Sequence, residues 1–429
     1  MNKKEYINRV PISKNNICIS RNEKLCTNCG ACKGICKSRI GVYDNYDMKK
    51  AREARCIYCG QCSLVCPNKS INEVYDYKKV KKEIAKGRVV IAQIAPATRV
   101  LLGEEFGQDV GKNVIGKLIC ALKKLGISYV MDTSFGADLT ICEEANELIS
   151  RIKKKEKLPM FTSCCPAWVK YVEEFYPKYI DNLSTCKSPV LMTGAIIKNY
   201  YAKKNNIDNP LVIAIVPCTA KKYEITKTDD VDYAITVREI AKWIKEEEIN
   251  FDKLEKLRFD DMTGTSSGII FGTSGGVTEA MIRYVYHRLT GNNPPKKLLN
   301  FEPVRGLSDV KEAKIKIKDY ELSLAVINGT GDVPKIIDKI ENEGIHYDII
   351  EVMACDGGCI VGGGGPRVNK ITNVNKTKRS MTLYKKDKNI KRRNSYENPK
   401  IKKLYSELLI KPNSLVSHEL LHMGDRDGK

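Results

Sequence analysis

Three apolar, strand-like runs in this chain each stop abruptly at a cysteine. They read MFTSCCPAW, IAIVPCTAKKYE and IIEVMACDGGCIVGGGGP, and they set Cys165, Cys218, Cys355 and Cys359 just beyond predicted strands. If the runs are neighbouring parallel strands, their carboxyl ends converge on one crevice, which is where open α/β sheets place their ligands. Four thiolates from three remote segments could then hold one buried iron–sulfur cluster.

The remaining cysteines strengthen this reading, because eight of the 17 fall in two sets, Cys26, Cys29, Cys32, Cys36 and Cys56, Cys59, Cys62, Cys66. Both sets read C-x2-C-x2-C-x3-C, and Pro67 follows the second. This is the bacterial-ferredoxin run, in which three cysteines of one set and the last of the other bind each cubane. The spacing therefore assigns Cys26, Cys29, Cys32 and Cys66 to one 4Fe-4S cluster, and Cys56, Cys59, Cys62 and Cys36 to a second. Zinc sites use pairs or triplets across a longer gap, often with histidine, and disulfide frameworks need a secreted chain, so neither fits as well. One departure is Lys37, which follows Cys36 where proline is usual.

A chain of 429 residues has room for two or three domains with a full core. The opening MNKKEYINRV carries charge but no apolar stretch, and no run of about 18 apolar residues occurs, so neither export nor membrane spanning is expected. Many cysteines without a leader point to the cytoplasm, where thiolates serve metals. The formal charge of +21 counts cysteine as neutral, and anionic thiolate-bound cubanes lower it. Much of the basic excess is local, with Lys376, Lys378, Arg379, Lys385, Lys386, Lys388, Lys391, Arg392 and Arg393 close together. A nucleic-acid interface would interleave several stacking aromatics there, whereas Tyr384 stands alone among those residues. A solvated basic face is the plainer reading, and a third is a surface that steers a small acidic electron carrier toward the ferredoxin-like end.

Residues 1 to about 80 are short of apolar runs and should be held together largely by metals. From Val89 strands and helices alternate: VVIAQIA before Pro96, an amphipathic run over Val110 to Leu125, ISYVMD, a helix from Asp138 to Lys155, and PMFTS. Later come LVIAIV before Pro217, a helix near Val237 to Glu247, a hairpin in KIKIKDYELSLAVING, a helix near Pro334 to Glu343, and YDIIEVM. This alternation predicts an α/β fold: a ferredoxin-like α+β domain over 1–80, then a two-lobed α/β catalytic domain over 81–380 with parallel sheets around a buried metal cluster. A partly helical capping segment over 381–429 completes it. Two other motifs carry less. His418-Glu419-Leu420-Leu421-His422 fits H-E-x-x-H but lacks an evident third zinc ligand, and Gly272-Thr273-Ser274-Gly275-Gly276 lacks the Lys-Ser/Thr of a phosphate loop and reads as a tight turn into a helix. With no G-x-G-x-x-G after a strand, nicotinamide binding is not expected.

Around the four cysteines, other residues suggest chemistry. Cys164 and Cys165 are adjacent, and successive side chains of an extended chain point to opposite sides, so one thiol can reach the cluster while the other stands beside it as a proton donor. Lys221, three residues past Cys218, offers a compact ammonium to an anionic ligand. The glycines flanking Cys355 and Cys359 allow close backbone approach to a metal. On the preceding helix Ile141, Ala145, Leu148 and Ile152 form the apolar stripe, and Glu144, Glu147 and Arg151 share the adjoining face. That face reads either as a proton route into the core or as an ordinary solvated edge.

Taken together, these segments resemble the signature loops of the FeFe hydrogenases over nearly the whole chain, in the form with two ferredoxin-type clusters. The resemblance implies an H-cluster: a 4Fe-4S cubane on Cys165, Cys218, Cys355 and Cys359, with Cys359 bridging to a di-iron unit that carries carbon monoxide, cyanide and an azadithiolate. It implies that Cys164 passes protons to the bridgehead amine, with Glu147, Ser184 and Glu144 continuing the path and Arg151 at its outer end. By the same resemblance Lys221 holds a cyanide, Pro96 lies near the other, and Met353 packs against the di-iron unit. The implied reaction is reversible H2 = 2 H+ + 2 e−, with electrons leaving singly through three 4Fe-4S clusters to an external carrier, for which a ferredoxin is the natural expectation. Maturation proteins would build the di-iron unit. Val216, Gly365 and Ala97 stand where the best-studied members have methionine, glutamine and often serine, which should alter packing and hydrogen bonding around that unit. Two other classes compete: a hydrogenase-like iron–sulfur assembly protein without hydrogen chemistry, and a hydrogen sensor. The paired cysteines, Lys221 and the intact relay residues speak against the first, and the retained Cys164 against the second.

Overall fold

The computed structural model describes residues 8–43, 55–367 and 372–424. Near the amino end, β1 (Ile19–Arg21) and β2 (Ile71–Glu73) pair antiparallel with Ile19 opposite Glu73. Between them α1 (Ala31–Ser38) and α2 (Gln61–Leu64) each start after a glycine in the left-handed region, Gly30 at φ 83° and Gly60 at φ 70°. In both cysteine sets that glycine follows the second cysteine. It turns the chain so that the third cysteine climbs a helix while the first two stay in the loop.

After α3 (Tyr77–Ala85) come β3 (Val90–Ile94), α4 (Ile115–Lys124), β4 (Tyr129–Asp132), α5 (Ser134–Lys154), β5 (Met160–Phe161), α6 (Pro166–Phe175) and α7 (Pro189–Ile196). Five strands follow: β6 (Leu211–Val216), β7 (Tyr233–Thr236), β8 (Val310–Ile317), β9 (Tyr320–Asn328) and β10 (Ile349–Met353). One sheet runs β4-β3-β6-β7 with every pair parallel. The other runs β5-β10-β9-β8, parallel except for the β8–β9 hairpin, whose register pairs Ile317 with Tyr320. β3, β6 and β10 are buried along their whole length, as expected for parallel strands covered by helices on both faces. Gln93, the polar exception in β3, donates to Val190 O at 2.8 Å and accepts from Thr133 Oγ1 at 2.9 Å. α5 and α7 cross in close contact at Gly136, where a Cβ would lie 2.1 Å from Thr193 Oγ1 and 2.2 Å from Pro189 O.

The α/β architecture agrees with the sequence reading, and three details differ. The cysteine-bearing strands are not all neighbours: β5 and β10 pair in one sheet, whereas β6 belongs to the other. The helix expected from Asp138 starts one turn earlier at Ser134, because Asp138 is a buried acceptor for Thr265, Ser395 and Asn398 and not a helix start. The basic run near the carboxyl end is only partly solvated. Lys376 is buried against Asp356 at 2.7 Å, and Arg379 grips Glu104 through two nitrogens at 2.8 and 2.6 Å. Among the described residues no helix is long and apolar enough to cross a membrane.

Candidate metal centre

The two sheets meet with the carboxyl ends of β3, β6 and β10, and the segment after β5, around one buried cavity of about 80 Å3. Its wall includes all four cysteines of the strand-end segments, Cys165, Cys218, Cys355 and Cys359. Cys165 is the N-cap of α6 with Pro166 at the first helical position, so helix-start amides face its sulfur. Burial raises the Cys165 thiol, and the amides of Ala354 and Trp168 together with Lys221 oppose that rise. Burial likewise pushes Cys218 up to about 12 with help from Cys165, and it raises Cys355 and Cys359, each of which feels the other sulfurs. Four thiolates cannot share a pocket this dry unless cationic metal balances them, and a thiolate-ligated iron–sulfur cluster supplies such metal. The donor set therefore fits a cubane.

Pro96, Ala97, Val216, Met353, Cys164 and Lys221 also border the cavity. Lys221 is 8% exposed and reaches Glu224 at 2.8 Å and the Cys164 carbonyl at 3.3 Å, while Ser188 Oγ donates to Glu224 at 2.9 Å. Glu224 thus orients the ammonium, and this i, i+3 partner stood unremarked inside the KKYE run. Gly365 is not on the wall; its carbonyl accepts from Arg238 at 2.5 Å. In the glycine run, Gly358 and Gly362 line the cavity, and a Cβ on Gly363 would lie 2.1 Å from Cys59 O. That glycine admits the amino-terminal cysteine segment against the core.

Both thiols of the adjacent pair border the cavity, but their neighbours differ. Cys164 is raised by burial and then by Glu144, whereas Cys165 lies among the other strand-end sulfurs. Glu144 is fully buried on α5 and is pushed up to about 8 by burial and by Glu147 one turn on. Ser184 and the Ser163 amide lie close enough to oppose that shift, yet neither meets a Glu144 oxygen with hydrogen-bond geometry. Ser184 Oγ donates to Glu147 Oε2 at 2.8 Å, and Arg151 Nη2 meets Glu147 Oε1 at 2.7 Å. Arg151 is tied in turn to the carbonyls of Leu183, Lys157 and Asn182 at 2.8, 3.0 and 3.2 Å. The face read from spacing is a buried line of proton-bearing groups, not a solvated edge.

The ferredoxin-like cysteines gather in the interleaved pattern that the spacing predicts. Cys26, Cys29, Cys32 and Cys66 line one small cavity, and Cys36, Cys56, Cys59 and Cys62 line another. Burial raises Cys26, but the Arg9 hydrogen bond and Arg21 outweigh it and hold the thiol below its usual value. The three groups form a series, since Cys36 feels Cys32, and Cys59 feels Cys165 and Cys218. Gln61 spans the last gap, donating to Cys355 Sγ at 3.1 Å and Val361 O at 2.7 Å. It was overlooked because a residue between two cysteines reads as spacer. His418 and His422 do not share a helix: His418 lies within Leu415–Leu421, and His422 is the extended residue after it.

The comparisons agree with this geometry. The profile of the iron only hydrogenase large subunit, C-terminal domain, matches residues 88–363, that of the iron hydrogenase small subunit matches 373–424, and that of the 4Fe-4S binding domain matches 51–72. The chain is 41% identical to the NADP-reducing hydrogenase subunit HndD of Solidesulfovibrio fructosivorans across 93% of its own length and 66% of that protein's. It is 36% identical to iron hydrogenase 1 of Clostridium pasteurianum across 92% of its own length and 74% of the relative's. Among solved structures, an FeFe-hydrogenase from Chlamydomonas reinhardtii superposes with a TM-score of 0.71 at 33% identity, covering 82% of this chain and 98% of that one.

Proposed function

The chain belongs to the iron-only, or FeFe, hydrogenase family, and on that premise we propose that it catalyses H2 = 2 H+ + 2 e− at an H-cluster held by Cys165, Cys218, Cys355 and Cys359. The observation that carries this reading is the gathering of those four buried sulfurs, with Cys164 and Lys221, around one cavity. When bound, the cluster supplies the open iron site and the base at which hydrogen is split or formed; the protein supplies placement, proton transfer and exclusion of water. Two further 4Fe-4S clusters would be held by Cys26, Cys29, Cys32 and Cys66 and by Cys36, Cys56, Cys59 and Cys62.

Lys221, fixed by Glu224, presents a positive charge to an anionic ligand of the cluster. Pro96, Ala97, Val216 and Met353 keep the cavity wall apolar, so that charge is weakly screened. Cys164 gives or takes the proton and Glu144 exchanges it next, since its value near 8 leaves it mostly protonated at neutral pH and close to balance. Ser184 and Glu147 carry the proton outward, and Arg151 holds Glu147 at the outer end. Clusters held in the cavities of Cys59 and Cys29 would carry electrons from the core to an external carrier, for which we propose a ferredoxin, and Cys29 is exposed. The carboxyl-terminal capping segment begins at the helix Asn373–Asn389, which runs across residues 380 and 381. We place the enzyme in an anaerobic cytoplasm beside the maturation proteins that assemble its di-iron unit.

The test is a hydrogen assay on anaerobically matured protein beside its infrared spectrum. Hydrogen turnover with bands from metal-bound carbon monoxide and cyanide is expected, and their absence would leave the iron–sulfur assembly reading. Cys164→Ala should retain those bands and lower turnover by about 100-fold or more.

A further inference from the structure

The route as described ends at Arg151, which is 6% exposed and whose guanidinium is bonded to backbone carbonyls on several sides. Glu147 has a second set of neighbours. The segment after the helix Leu415–Leu421 forms an antiparallel bridge between His422 and Cys186, framed by Lys187 N to Leu421 O and Met423 N to Thr185 O, both at 2.8 Å. This bridge sets the imidazole of His422, 4% exposed, beside α5. One ring nitrogen, Nε2, lies 3.3 Å from Glu143 Oε2; the other, Nδ1, lies 2.8 Å from Thr185 Oγ1 and 4.0 Å from Cys186 Sγ. Cys186 Sγ lies 3.8 Å from Glu147 Oε2, so ligating atoms of Glu147, Cys186 and His422 fall within 4.8 Å of one another.

An imidazole backed by a carboxylate binds a proton more tightly at its other nitrogen, and a thiol within reach of both partners can hand one on. Resting on the hydrogenase reading, we propose that Glu143, His422 and Cys186 form a second branch of the proton route, which joins the first at Glu147. A proton on His422 Nδ1 moves to Cys186 Sγ as the thiol's own proton passes to Glu147 Oε2, and the ring returns to neutral. Thr185, which is half-buried, offers its hydroxyl to Nδ1 as the link toward solvent. The charged and titratable groups facing the ring are Glu143 and Glu147 on α5, Cys186, and the exposed His418, whose ring lies tilted against His422 with centroids 4.0 Å apart. Arg151 on Glu147 and Tyr405 on Glu143 at 2.5 Å complete the set. Because Glu147 keeps its contacts with Arg151 and Ser184, the branch adds supply and does not replace the outer end.

The test compares hydrogen evolution by the matured enzyme with Cys186→Ala, Cys186→Ser and His422→Gln over pH 5.5 to 9, at saturating reductant. The alanine and glutamine variants should lose about threefold or more of the rate, while serine, which keeps a proton-bearing atom, restores it. A profile that superposes on the parent in both variants, with unchanged infrared bands, overturns the branch. A second measurement needs no turnover: infrared titration of the Glu147 carboxyl, assigned with Glu147→Gln, in protein without its di-iron unit. Its midpoint should move in Cys186→Ala and His422→Gln if the groups share a proton. An unmoved midpoint overturns the branch, whereas an inactive parent with a moved midpoint overturns the hydrogenase reading alone.

Discussion

Glu144 shows how one side chain can be tuned by its place. The carboxyl is fully buried next to a second acid, so its neutral form is favoured and its value rises from the ordinary 4.5 to about 8. Below about pH 4.5 both the folded and unfolded chain hold the proton and the site is neutral in its effect on stability. Between 4.5 and 8 only the folded chain keeps it, so the site costs stability as pH rises, and the cost is complete above about 8. Glu144→Gln should therefore leave the melting temperature nearly unchanged at pH 4.5, raise it at pH 8.5, and lower hydrogen turnover by about 100-fold. Anaerobic thermal melts at the two pH values beside a hydrogen assay check both halves. The i, i+3, i+7 spacing made Glu144, Glu147 and Arg151 legible as one face, but spacing cannot tell a buried edge from a wet one. Glu224, Gln61 and His422 were illegible for a related reason: each acts on a partner delivered by a fold contact that no local pattern encodes.

At the scale of elements, the helix Gly276–Thr290 depends on a residue from a distant strand. Glu351 of β10 accepts from Gly275 N at 2.7 Å and from Thr278 N and Oγ1 at 2.8 Å, so a buried carboxylate satisfies donors at the helix start and meets its positive end. Across from it, burial lowers Lys311 to about 8, and Glu351 limits the fall. Glu351→Ala should leave those amides without their acceptor and cost about 2 to 4 kcal/mol, read as a lower denaturant midpoint at unchanged slope. The helix start was visible in GTSGG, and β10 in YDIIEVM. The role of the acid in that strand was not legible, because its partner Gly275 lies 76 residues away in the chain. Strand order was hidden for the same reason: periodicity identifies a buried parallel strand, but whether β6 pairs with β3 or with β10 is decided by how helices cover the two sheets.

At the scale of the molecule, the interleaved cysteine sets do two jobs, because each ferredoxin-like cavity closes only when both halves of the amino-terminal segment are folded. The carboxyl-terminal segment is tied in by a buried charge network instead, with Asp387 meeting Arg283 at 3.0 Å and Arg393 at 2.5 Å. On the proposed reading, clusters at one end and ion pairs at the other hold the two ends onto a core that apolar packing builds. The serial arrangement of the three cysteine groups separates two parts of the reaction. Heterolytic splitting and re-formation of hydrogen exchange a proton but need no outside electrons, whereas in the proposed relay net oxidation sends electrons through the amino-terminal cavities. Cys29 is the exposed cysteine of the outermost group, so Cys29→Ala should remove that cluster's iron while leaving the core cavity intact. Net hydrogen oxidation with a protein carrier should then fall by about tenfold or more, while exchange between H2 and D2O stays within about twofold of the parent. Mass spectrometry of the evolved HD beside a carrier-reduction assay reads the two rates. A parallel loss of both would mean that the outer segment supports the active site itself, and equal retention of both would mean that electrons leave by another face.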